Sequence, residues 1–419
     1  GPDYRPAQPA TVFPFATDDG SLARATLRCV GVGKCRRLEG GTMCPSYMVT
    51  QEEEHSTRGR ARLLHEMLVG DVVRGGWRSP EVKEALDLCL ACKGCKAEFL
   101  YHHYRGRLRP RAAYAMGLIT WWARAAAHAP RLVNALLAAP GLGGVAKAAG
   151  GIASRRQLPR FATRTLRARL AGRPPAHPAG PPVLLYADTF TNFFEPEIGE
   201  AAVTVLEAAG FRVELPAVSL CCGRPLYDHG FLGLARRLLR ENLRGLRDAL
   251  ARGLPIVGLE PSCVATFRDE LPALFPGDPA AQRLSAGVVT LAELLARDAP
   301  DWQPPTLRRR AMVQGHCHHQ AVMGMQADLA LLSRLGLDWE LLDTGCCGLA
   351  GSFGFTAAHY DVSLACGERK LLPLLRAAPA DTLVLADGFS CRTQIAHGSG
   401  RRGLHLAQVL ELALRPHPD

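Results

Sequence analysis

Cysteines at short, repeated spacings are the residues of this chain best suited to chemistry. The tightest group is Cys89-x-x-Cys92-x-x-Cys95. Three thiolates at that spacing wrap one face of an iron–sulfur cube, and they form the core of the bacterial run C-x2-C-x2-C-x3-C-P. Upstream, Cys29-x5-Cys35-x8-Cys44-Pro45 reads as a degraded copy of the same run, with Val32 at a middle cysteine's place and the terminal Cys-Pro kept. Where two such runs cooperate, the Cys-Pro cysteine of one ligates the cluster of the other. Cys44 is therefore expected to complete a [4Fe–4S] set with Cys89, Cys92 and Cys95. Zinc suits four thiolates equally well, and unligated thiols are the third reading. Cys29 and Cys35 would serve a second ferredoxin-like site, but its reciprocal fourth cysteine should follow Cys95 by four residues. Lys96-Ala97-Glu98-Phe99 stands there instead, so the second set is short of ligands.

The remaining cysteines form a repeat. Cys221-Cys222-Gly223 and Cys346-Cys347-Gly348 lie 125 residues apart, and the single cysteines Cys263 and Cys391 lie 128 apart. Matched spacing of this kind is the mark of an internal duplication. The second copy adds Cys317 and so offers four ligands; the first has Asp188 and Thr189 at that place. Adjacent thiolates strain to chelate an ordinary cubane, which favours an unusual cluster or a redox dithiol over simple core filling. His316, His318 and His319 flank Cys317 and are candidates to ligate metal or bond cluster sulfur, against the plainer reading of loop histidines. His102 and His103 read the same way. Cys366 fits neither set and reads as an ordinary buried residue.

The elements that must position these residues follow from pattern. Thr50-x-x-Glu53 predicts a capped helix running to about Leu68, and Ser79-Pro80-Glu81 predicts a second one running into Cys89. From Val183 the chain alternates strand and helix twice. Strands are expected at Val183–Ala187, Phe211–Leu215 and Pro255–Leu259, then at Ala311–Gly315, Trp339–Leu342 and Thr382–Ala386. Each cysteine loop then falls at a strand's carboxyl end, where parallel sheets place ligands. The expected fold is α plus α/β, a helical ferredoxin-like domain followed by two repeated α/β cysteine-rich domains. The expected divisions are an irregular lead-in (1–20), the [4Fe–4S] domain (21–110), a basic apolar helical segment with a Pro-rich linker (111–182), and cysteine-rich domains at 183–300 and 301–419.

Composition narrows the class. Hydrophobic residues make up 47% of the 419 and charged ones 21%, which excludes a disordered chain. No stretch reaches the ~18 continuous apolar residues of a membrane span. The start, Gly1-Pro2-Asp3, suggests a fragment or a trimmed chain. The net charge of +11 divides unevenly, with +15 on residues 1–180 and −4 on the rest. No acidic residue lies between Glu98 and Asp188, an interval that carries fourteen basic residues together with Trp121 and Trp122. An apolar, Trp-bearing helix beside a polybasic stretch suits peripheral contact with an anionic membrane face. A core helix with an Arg-rich linker is the alternative, and nothing in the pattern supports nucleic-acid binding. Gly141-Leu142-Gly143-Gly144 follows no strand, so it is not a dinucleotide fingerprint.

Three stretches, Arg28–Tyr47, His55–Leu64 and Leu86–Cys95, resemble the iron–sulfur half of FAD-linked D-2-hydroxyacid dehydrogenases of the D-lactate, glycolate and D-2-hydroxyglutarate type. Cys221–Gly223, Glu260–Cys263, His316–His318 and Asp387–Cys391 are similar to the paired cysteine-rich (CCG) domains of that family. The same domains occur in the B subunit of heterodisulfide reductase and in the C subunit of anaerobic glycerol-3-phosphate dehydrogenase. Two departures stand out: the residues that should follow Cys95, including a Cys-Pro, are missing, and so is the preceding flavin domain.

The resemblance implies an oxidoreductase component acting on CH–OH donors, with FAD on an absent domain or partner and the catalytic residues unknown. Its [4Fe–4S] clusters would pass electrons from reduced flavin to a quinone or cytochrome acceptor. Location in the cytoplasm, against the inner face of the membrane, is the matching expectation. The alternatives are a thiol–disulfide oxidoreductase of the heterodisulfide reductase kind and a zinc-bound or cluster-deficient scaffold.

Overall fold

The fold is seen in a computed structural model that describes residues 6–41, 43–90 and 95–415. Its centre is a pair of four-stranded, wholly parallel sheets with matching strand order, β2-β1-β3-β4 and β6-β5-β7-β8. The strands of the first are β1 (Pro182–Tyr186), β2 (Arg212–Glu214), β3 (Ile256–Gly258) and β4 (Val288–Val289). Those of the second are β5 (Arg310–Val313), β6 (Asp338–Leu341), β7 (Leu383–Leu385) and β8 (Gly403–Leu404). Val183 through Tyr186 are all buried, so β1 reads as an unbroken apolar run, as a strand covered on both faces must. Pattern reading finds six of the eight strands. β4 and β8 have two residues each, too short to carry a period, and their pairing to β3 and β7 holds them in place.

The sheets do not stand apart. A single apolar core contains Leu185 and Val257 from the first and Val313 and Leu385 from the second. The helices Pro196–Ala208 and Leu406–Leu414 meet face to face within it. Polar ties reinforce the junction. His405 Nδ1 accepts from Ala407 N–H, so Nε2 carries the proton and donates to the Leu259 carbonyl at 2.9 Å. Arg392 donates to Glu195 at 2.5 Å.

The amino-terminal region is helical. The helix Pro80–Asp87 is capped by Ser79 as the sequence predicts. The helix before it is not: it spans Thr57–Val69 and is capped by Ser56, which accepts from Gly59 N–H. Thr50 instead ends the helix Pro45–Thr50, donating to the Ser46 carbonyl and bonding the His55 ring, and Gln51 turns the chain at φ 58°. The lead-in carries no helix or strand over residues 6–15 and is pinned to the head by polar bonds. Glu98, fully buried, accepts from Val12 and Phe13 N–H at 2.9 and 3.0 Å. His102 and His103 sit on the last turn of the helix Cys95–His103, not on a loop; His102 bonds Glu98 and His103 bonds the Trp77 carbonyl.

After the head, residues 111–170 form short helices, several of which pack on helices of the first sheet's unit. Among the described residues no single helix is long and apolar enough to cross a membrane. Pro130–Ala138 and Leu142–Ala149 pass that test only together, as a pair bent by 93°. Several arginines of this zone tie the chain internally. Arg109 donates to the His229 and Gly230 carbonyls, Arg124 to Ser219, Arg167 to Ala217, and Arg173 pairs with Glu207. Arg156 is buried, donating to the Gly354 carbonyl at 2.7 Å and to Ser363 Oγ at 3.0 Å. Truncating it strands a buried acceptor and opens a void, so Arg156→Ala should lower stability by about 3 kcal/mol in denaturant melts. A change below about 1 kcal/mol would mean that this strap is not held by that side chain.

Candidate metal and redox centre

Five of the strands named above lead into cysteine loops. β5 leads to Cys317, β6 to Cys346-Cys347 and β7 to Cys391, and their thiols are near enough to shift one another's ionisation. In the first sheet β2 leads to Cys221-Cys222 and β3 to Cys263, with the Cys263 and Cys222 sulfurs 3.0 Å apart. β1 leads to Asp188 and Thr189. Asp188 caps the next turn, accepting from Phe190 and Thr191 N–H, and the Thr189 hydroxyl donates to Thr120 Oγ1 at 3.3 Å. Both pairs end in glycine for a geometric reason. Gly223 and Gly348 have φ of 83° and 89°, a left-handed turn that side chains resist. A Cβ on Gly348 would also lie 2.2 Å from the Ser363 carbonyl oxygen.

The two sets line one space. A cavity of about 670 Å³ is bounded by Cys221, Cys222 and Cys263 on one side and by Cys317 and Cys346 on the other. Glu260 joins the sides, accepting from Phe389 N–H at 2.8 Å beside Cys391 and from Ser262 beside Cys263. The far wall is apolar and comes from the helical zone: Met116, Ile119, Trp122, Val133, Leu137 and Phe161. That zone also exposes Trp122, Leu132, Leu136, Leu142 and Val145. Sequence reading did not foresee this wall, because a helix lining a cavity and a helix packed in a core have the same apolar period.

The polar floor sets local charge. Burial pushes the Asp188 carboxyl up to about 6, with the Glu260 charge adding to it. Asp228, a cavity residue no motif marked, is pushed up to about 6 by burial, against the pull of Arg224 and Lys96. A hydrogen bond from Cys346 brings Cys317 down to about 6, and bonds from Cys346 and Cys391 hold Cys347 well below the usual thiol range, so these two are the thiols most readily ionised here. Burial lowers His316 to about 4, keeping it neutral. A Cβ on Gly388 would lie 2.2 Å from the His316 ring, so only glycine lets β7 pass so close. His318 Nδ1 is 3.9 Å from Cys317 Sγ. His319 turns away, to Asp328 at 3.1 Å.

The head's candidates divide. Cys44 and Cys89 are buried, Cys29 is exposed and Cys35 is half-buried. Cys92 lies outside the described residues, and of Cys95 only the backbone, opening the helix Cys95–His103, is described. Arg60 clamps the two segments together, donating to Ala85 O before Cys89 and to Ser46 Oγ after Cys44. Cys44 Sγ accepts from Thr57 N–H at 2.9 Å, a bond that suits a thiolate. Cys366 is buried and pushed up to about 12, its thiol donating to the Pro45 carbonyl. As a donor set, the four sulfurs of the second sheet fit a thiolate-held cluster; the three of the first fall one short.

Comparison with known proteins agrees with the cysteine pattern. Residues 187–268 match the cysteine-rich (CCG) domain family. D-2-hydroxyglutarate dehydrogenase of Pseudomonas putida is 27% identical over 93% of this chain and 44% of its own length. The C subunit of anaerobic glycerol-3-phosphate dehydrogenase of Escherichia coli is 30% identical over 55% of this chain and 59% of its own. Lactate utilization protein A of Geobacillus kaustophilus is 30% identical over 54% of this chain and 98% of its own. The chain spans less than half the length of the hydroxyglutarate enzyme. It belongs to the same family as lactate utilization protein A, and its residues 187–268 carry the cysteine-rich (CCG) domain.

Proposed function

We propose that this chain is the iron–sulfur electron-transfer module of an FAD-linked 2-hydroxyacid dehydrogenase, with the flavin on another domain or subunit. One observation carries the reading: thiols from two sheets line a single, largely apolar cavity. A cluster supplies one-electron chemistry, which lets a two-electron flavin discharge in steps. Cys44, Cys89, Cys92 and Cys95 would hold a [4Fe–4S] group in a ferredoxin-like domain at 21–110. Cys317, Cys346, Cys347 and Cys391 would hold another, and Cys221, Cys222 and Cys263 a third or a redox dithiol. The two sheets would be copies of one unit, at 183–300 and 301–419, after a helical segment at 111–182.

The apolar wall would bind the acceptor and keep water from the thiols, which suits a quinone better than a cytochrome. The exposed side chains at Trp122, Leu132, Leu136, Leu142 and Val145 would rest on a membrane's cytoplasmic face and give an apolar acceptor its way in. Thiol–disulfide exchange is the second reading, favoured by the ionisable Cys317 facing the cavity.

Anaerobically purified protein should be brown, with broad absorption near ~400 nm and matching iron and sulfide. A colourless, zinc-bearing protein would end the electron-transfer reading in favour of a scaffold. Cys92→Ser should remove the ferredoxin-type signal and leave the signal of the second sheet, which Cys391→Ser should remove in turn. Loss of both signals together, or of neither, contradicts the ligand sets. Ile119→Arg places a charge in the cavity wall. It should slow reoxidation of the reduced protein by a short-chain quinone roughly tenfold or more, sparing a water-soluble dye; equal rates would remove the cavity from the acceptor's path.

A further inference from the structure

We propose that His319, Asp328 and Asp387 form a site for one divalent transition-metal ion, best suited to zinc. It is separate from the cysteine-lined cavity, whose lining includes none of the three. Their ligand atoms all lie within 4.8 Å of one another. His319 Nε2 is 3.1 Å from Asp328 Oδ2, with side-chain exposures of 2% and 6%. Donors ~2.1 Å from a tetrahedral ion stand ~3.4 Å apart, so the His319–Asp328 pair is near ligand spacing and Asp387 is within reach of the same centre.

Two further observations point to an occupant. His319 Nε2 and Asp328 Oδ2 are both buried from solvent and face each other as an ion pair, and among the described residues neither atom has a further hydrogen-bond partner. Two small voids, of about 20 and 10 Å³, adjoin the group, and their shared lining is His319, Asp328, Asp387 and Leu406. Such a void is ion- or water-sized. Nearby groups do not fill the role. Asp387 Oδ1 accepts from Leu406 N–H, which uses part of one oxygen only. His405 has both ring nitrogens engaged, with Ala407 N–H and the Leu259 carbonyl. Arg392 is committed to Glu195 and to the carbonyls of Ala386 and Asp387. A protonated His319 would balance one carboxylate and leave the second without full compensation; a divalent ion answers both. One imidazole and two carboxylates, with water as a fourth ligand, are zinc's chemistry rather than that of calcium or magnesium.

The position gives the ion a task. His319 follows β5 just after Cys317, Asp387 follows β7 just before Cys391, and Asp328 comes from the helix Gln326–Arg334. The smaller void is closed by Gly258, Leu259, Thr290 and Leu291 of the first sheet. An ion there would brace the two sheets at their junction and hold the strand ends that present the cysteines.

The test uses the full chain, prepared anaerobically, dialysed against zinc chloride and then against buffer. The expected result is a single zinc ion per chain beyond the iron. Zinc-edge X-ray absorption should show only nitrogen and oxygen neighbours, near ~2.0–2.2 Å. Asp328→Asn, matched in shape, should weaken zinc retention at least tenfold with iron content unchanged. Sulfur neighbours near ~2.3 Å would put the zinc on cysteines and overturn the assignment. So would no retained zinc, or equal retention in the variant. If the variant fails to fold, the absorption spectrum of the unaltered chain decides the matter alone.

Discussion

The packing of two parallel sheets through one shared apolar core is the constraint on which the rest depends. A parallel sheet sends all its strand ends the same way, so each sheet gathers its cysteine loops on one edge. With Leu185, Val257, Val313 and Leu385 in a single core, the two edges cannot turn independently. They face each other across one cavity, and Glu260 and His405 lock the junction with bonds from one sheet to the other. Were the sheets joined only by a flexible linker, the thiols would make two sites. Here they make one chamber.

The helical zone gains its meaning from that chamber. Its arginines spend much of their charge on carbonyls and carboxylates of the sheets, fastening a roof over the cavity. The roof is apolar inside, where Ile119 and Phe161 line the cavity, and partly apolar outside, where Leu132 and Val145 are exposed. A wall of that kind excludes water from the buried thiols and raises the strength of every charge interaction within. Burial alone would suppress ionisation of these thiols; hydrogen bonds work against it at Cys317 and Cys347.

Much of this was legible in the sequence, and the limits are physical. Six strands showed in the alternation of short strand-like and helical stretches, and the 125-residue spacing set the paired cysteines at matched strand ends. β4 and β8 were hidden by their length, and the Thr50 cap was mistaken because Ser56, six residues on, makes the bond. Glu260 and Asp228 acquire their roles from neighbours far along the chain, which spacing cannot reveal. The apolar stretch around Trp121 and Trp122 left membrane contact and core packing open; that Met116, Ile119 and Val133 line a cavity is a role only the fold reveals.

The central claim is that cysteines of the second sheet serve an acceptor held in the shared cavity. Electron paramagnetic resonance of the reduced protein, with and without a redox-inactive apolar quinone analogue, tests it most directly. The account predicts that the analogue alters the signal that survives Cys92→Ser and leaves the Cys92-dependent signal unchanged. An analogue that binds without touching the first signal, or that perturbs only the second, would contradict it.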